Sequence, residues 1–87
     1  MHDFYAANKI LKLVLNFGQK NNLRAVSKIV IDLGQIEEHG EEIKAENFKF
    51  NFKLLAKNTI AKNALVIINR IPGNKIILRE IEGKINN

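Results

Sequence analysis

Residues 26–33, Val-Ser-Lys-Ile-Val-Ile-Asp-Leu, are mostly β-branched and alternate in character. Ile29, Ile31 and Leu33 fall on one side and Lys28 and Asp32 on the other, the pattern of a half-buried strand, and Gly34 ends it. A strand of this kind is stable only if other elements cover its apolar side. The 87 residues allow one domain, spanning 1–87. At that size roughly 60% of the unfolded surface is buried, so the core is thin. No cysteine is present, which excludes disulfides, iron–sulfur centres and thiolate zinc sites and leaves an apolar core to do the work.

The covering layer is legible as two helices. Ala7, Ile10, Leu11, Val14 and Phe17 recur at three- and four-residue steps, which predicts an amphipathic helix over 4–20. Asp3 is its expected N-cap, and Asn21-Asn22 its stop. A second helix is expected over 41–57, with Ile43, Phe48, Phe52 and Leu55 near one face and Phe50 and Leu54 widening it. Glutamates then sit in its first turn, favoured by the macrodipole. Residues 64–71 and 75–82 read as strands, and Pro72-Gly73-Asn74 between them predicts a hairpin. The expected fold is α+β: two helices packed on one face of a three-stranded mixed sheet, in the order α-β-α-β-β.

The charge is 14 basic against 9 acidic residues, or +5. Lysines are spread along the chain, arginine is limited to Arg24, Arg70 and Arg79, and five glutamates crowd into 37–46. That distribution reads as a solvated basic surface more than a nucleic-acid site. No apolar run approaches the ~20 residues of a membrane span. The N-terminus does not read as a signal peptide, so a cytoplasmic protein is expected. The five glycines are isolated, Ser27 is mid-strand, and Thr59 has no neighbouring histidine, so an enzyme is not expected.

The distinctive chemistry lies in Met1-His2-Asp3. An α-amine of pKa about 7.7–8.0 stands one peptide bond from an imidazole of pKa about 6.5. Both are nitrogen donors once deprotonated, and the intervening amide nitrogens join them when a strongly binding metal displaces their protons. A planar nitrogen set selects Ni(II) or Cu(II) over Mg or Ca. His39, inside Glu37-Glu38-His39-Gly40-Glu41-Glu42, is a candidate additional ligand.

The chain resembles the HypA/HybF family of nickel-insertion accessory proteins. Met1-His2-Asp3 is similar to the family's opening Met-His-Glu, with Asp3 in place of glutamate. Val26–Gly34 resembles its first strand and closing glycine. Phe48–Ala64 resembles its second helix and following turn, with Asn58 and Asn63 where the family has glycines, a swap that a left-handed conformation permits. Residues 73–82 resemble its final strand. The family inserts a zinc domain with paired cysteines between the last two strands, whereas Pro72-Gly73-Asn74 joins them here.

The resemblance implies a nickel-binding domain only, without zinc. It implies a metallochaperone for NiFe hydrogenase maturation, holding Ni(II) at Met1, His2 and Asp3. A maturation GTPase and the hydrogenase large subunit are its implied partners. The alternatives are a metal-free interaction module on the same fold, which could pair with itself as a homodimer through exposed sheet edges, and a small basic nucleic-acid binder.

Overall fold

The computed structural model describes residues 5–38 and 40–85. Helix α1 (Tyr5–Lys20) buries Ala6, Ala7, Ile10, Leu11 and Val14. Phe17, expected among them, is exposed, and Gly18 is buried instead. A Cβ at Gly18 would lie 2.9 Å from Ile60 Cδ1, the movable end of a side chain packed against the core. The helix stops as expected: the Phe17 carbonyl accepts from both the Asn21 backbone and its side-chain amide, and Asn22 is left-handed at φ 55°.

The chain then reverses into β1 (Leu23–Leu33), three residues longer at its start than the sequence pattern suggested. Strand β4 (Leu65–Arg70) pairs with it in parallel and β5 (Ile76–Ile85) antiparallel, giving the sheet order β4-β1-β5. Ile29, Ile31 and Leu33 turn toward α1 and α2 (Ala45–Ala56), where Phe48, Phe52, Ala56 and Val66 complete one core. The opposite face carries charged pairs: Lys28 with Glu80 and Glu82, and Asp32 with Arg79. The fold is therefore the expected α+β arrangement, two helices and a three-stranded mixed sheet. None of the described helices is long and apolar enough to cross a membrane.

Three expectations are corrected. First, β4 and β5 form no hairpin, because β1 lies between them. The 71–75 connection passes over the end of β1 instead. Gly34 N–H donates to Lys75 O at 2.8 Å, Gln35 N–H to Gly73 O at 2.6 Å, and Ile71 N–H to Leu33 O at 3.1 Å. The physical reason is burial. Residues 29–33 of β1 are all buried, so the central position, flanked on both edges, is the one that satisfies this strand.

Second, α2 starts at Ala45, not 41. Glu37–Glu38 (β2) and Glu41–Glu42 (β3) form a small antiparallel ribbon ahead of it, turning at Gly40 with φ 81°. The backbone pairing of Glu37 with Glu42 and of Glu38 with Glu41 takes 41–42 into the ribbon, so the helix begins only after Ile43 and Lys44. Only Glu46 remains in the helix's first turn. Phe50 and Leu54 also lie outside the core, 64% and 50% exposed.

Third, neither Asn58 nor Asn63 is left-handed; Asn22 is the one non-glycine residue with positive φ among the described residues. The turn after α2 is held by Thr59, whose hydroxyl donates to Ala56 O at 2.8 Å and accepts from Ala61 N–H at 3.0 Å.

Candidate functional site

The four candidate ligands, Met1, His2, Asp3 and His39, lie outside the described residues. The topology nevertheless fixes which end of the domain the adjoining elements occupy. Asn21-Asn22 folds α1 back against β1, and α2 returns to start β4, which runs parallel to β1. Both helices therefore begin at the end where β1 and β4 finish. Tyr5, the β2–β3 ribbon and the 71–75 connection share that end. The first described residue of α1, Tyr5, is thus on the same end of the fold as Glu38 and Gly40, although Tyr5 and Glu38 are 33 positions apart in the sequence.

A shallow cleft of about 560 Å³ opens there, lined by Gln35, Ile36, Glu37, Glu42 and Asn74. Its position follows from the backbone bonds of Gly34 and Gln35 to the 71–75 connection, together with Ile43 N–H donating to Ile36 O at 2.7 Å, which closes the ribbon's base. Arg70, at the end of β4, fixes the ribbon to the sheet. Its Nη2 lies 2.8 Å from Glu42 Oε2, and its Nη1 donates to Ile43 O at 3.4 Å. This leaves Glu37 and Glu41 to give the ribbon an acidic surface. Among the described residues no group of three or more His, Cys, Asp or Glu side chains is placed to hold a metal ion.

Arg70, Gln35 and Asn74 were not singled out for this end from the sequence. The available signal was the scarcity of arginine: Arg70 and Arg79 both close ion pairs. Arg79 bonds to Asp32, which is buried at 6% exposure. The Arg79 hydrogen bonds hold the Asp32 carboxyl below its ordinary value, outweighing the effect of burial, and Asn69 contributes in the same direction. Ser27, mid-strand as read, donates its hydroxyl to Glu82 O at 3.2 Å.

Comparison with known proteins gives a consistent answer. The fold superposes on the solution structure of the Ni metallochaperone HypA from Helicobacter pylori with a TM-score of 0.81. At 13% identity, with 99% of this chain and 100% of that one covered, the likeness shows a shared fold. The hydrogenase maturation factor HypA of Legionella pneumophila strain Corby is 32% identical over 76 residues, covering 87% of this chain and 64% of that protein. The HypA of Pyrococcus furiosus is 33% identical over 67 residues, covering 77% of this chain and 45% of that protein. The chain thus spans about half to two-thirds of the length of these relatives. Residues 1–76 match the family model described as hydrogenase/urease nickel incorporation, metallochaperone, hypA. A match that begins at Met1 and runs through both helices, β1 and β4 makes this chain a member of the HypA family.

Proposed function

We propose that this domain carries Ni(II) as cargo for NiFe hydrogenase maturation, holding the ion at its N-terminus. The observation that supports the reading most is the family match, which includes Met1-His2-Asp3 and continues through the folded domain. The donors are the Met1 amine, the His2 imidazole and backbone amide nitrogen, and the Asp3 backbone amide nitrogen. Four nitrogens suit a planar Ni(II) site. The Asp3 carboxylate and His39 are additional candidate donors in this reading.

Recipients of the cargo in this reading are a maturation GTPase and the hydrogenase large subunit. The reading calls on no thiolate ligand, since the given sequence holds no cysteine.

The test is a nickel titration of protein with an authentic Met1 amine beside the same protein extended by Gly-Ser ahead of Met1. The extension converts the α-amine to an amide and moves His2 out of the second position. Nickel binding is expected for the first and lost for the second. Equal binding by both contradicts the terminal site.

A further inference from the structure

The structure sorts the charges that the sequence seemed to scatter. Exposed Lys9, Lys12 and Lys20 lie on α1, Lys53 on α2, and Lys44 and Lys57 at the two ends of α2. None of the six pairs with an acid among the described residues, and Glu46 is the one described acid in this layer. The other described acids lie on the ribbon, on β1 and on β5, where Glu42, Asp32, Glu80 and Glu82 have basic partners. The helix layer is therefore the cationic side of the molecule.

In the helix layer, besides the exposed Tyr5, Leu13 and Phe17 of α1, two large apolar side chains of α2 are left out of the core. Phe50 and Leu54 are one turn apart and 64% and 50% exposed. They sit about half a turn round α2 from Phe48, Phe52 and Ala56, which are buried. A surface helix of a small domain normally gives such positions to polar residues. Lys53 and Lys57 lie on the same turns, so an aromatic anchor is bordered by cations.

We infer that the outer face of α2 docks a partner protein that presents an apolar pocket rimmed by carboxylates. Phe50 and Leu54 fill the pocket, and Lys53 and Lys57 meet the rim, the usual division between a desolvated anchor and a charged border. Charge complementarity selects an acidic partner, and the apolar pair selects a protein over the other polyanions. A bilayer takes a continuous apolar stripe, and the stripe of α2 is already spent on the core. Phosphate recognition favours arginine, and Arg24, Arg70 and Arg79 all lie on strands, two of them committed to ion pairs. The inference does not depend on nickel, because it concerns the metal-free surface.

The test uses metal-free, isotope-labelled protein titrated with a synthetic helical peptide of Glu and Asp carrying Leu and Trp along one face, followed by amide NMR shifts. Saturable shifts confined to α2 and the facing turns of α1 are expected. Phe50→Ser with Leu54→Ser should weaken binding about tenfold or more, the scale of losing an interface anchor. Lys53→Glu with Lys57→Glu should weaken it comparably, and added salt should weaken it for the unmodified protein. All four positions are exposed, and unchanged shifts in the sheet verify that each variant is folded. The inference is overturned if a peptide with Ser in place of Leu and Trp binds equally well. It is also overturned if oligothymidine or vesicles of phosphatidylcholine with phosphatidylglycerol bind this face more tightly than the peptide, or if no saturable shift occurs.

Discussion

Arg70 Nη2 lies 2.8 Å from Glu42 Oε2, which ties the last residue of β4 to the acidic ribbon that precedes α2. These residues are 28 apart in sequence and meet because both belong to the end of the fold where β1 and β4 finish. Both side chains are about half exposed, so the pair contributes little to global stability, below about 1 kcal/mol. Its effect is local. Arg70→Ala should leave the urea midpoint nearly unchanged while amide exchange at Ile43, whose carbonyl also accepts from Arg70, accelerates.

Gly34 is a tight joint in the fold. A Cβ there would lie 2.5 Å from Gly73 O and 2.7 Å from Lys75 O, both backbone atoms. Gly34→Ala must push the 71–75 connection off the end of β1, and overpacking of this kind costs about 1–3 kcal/mol or more. Urea unfolding should show that loss with an unchanged m-value.

Phe52 is fully buried and its ring lies 6.2 Å from that of Phe48. Phe52→Ala should cost about 3–5 kcal/mol, most of the stability a domain of this size is expected to have. Thermal unfolding by circular dichroism should show a broad, low transition or none.

Asp32 gives the fold an acid-sensitive contribution. Arg79 lowers its carboxyl from the ordinary value of 3.8, so its stabilisation is present at neutral pH and lost as pH falls through the lowered value. Stability measured from neutrality to about pH 2 should fall on the acid side, and Asp32→Asn should flatten part of that fall while lowering stability at pH 7.

The parts of the fold that were legible in the sequence are those with a strong hydrophobic period. Ile29, Ile31 and Leu33 announced the core side of β1, and Ile10, Leu11 and Val14 that of α1. Sheet order was not legible. Pro72-Gly73-Asn74 has hairpin turn chemistry, but turn chemistry is local, whereas the position of β5 is set by the need of β1 for a neighbour on each edge. The β2–β3 ribbon was missed because two-residue strands of glutamate carry no period at all. Phe50 and Leu54 were expected to widen the apolar face of α2, but they stand about half a turn from Phe48 and Phe52, and the core takes only one side of the helix. Of the candidate site, the donor set at Met1, His2 and Asp3 is an expectation from the sequence that lies outside the described residues; the role of Arg70 in holding the ribbon appears only once β4 is placed.

Protonation sets the pH range of the proposed nickel site. The imidazole and the α-amine must both lose protons to act as donors, so binding should weaken steeply below about pH 6. Apparent affinities measured from about pH 6 to pH 8 should rise with pH, and metal loading should release protons to a weakly buffered solution.

The most direct test is isothermal titration of Ni(II) into untagged protein, unmodified against His2→Ala, each with an authentic Met1 amine. The account predicts about one Ni(II) per chain for the unmodified protein and no measurable binding at that site for the variant, since the variant loses the imidazole that completes the planar donor set. Undiminished stoichiometric binding by His2→Ala would contradict it.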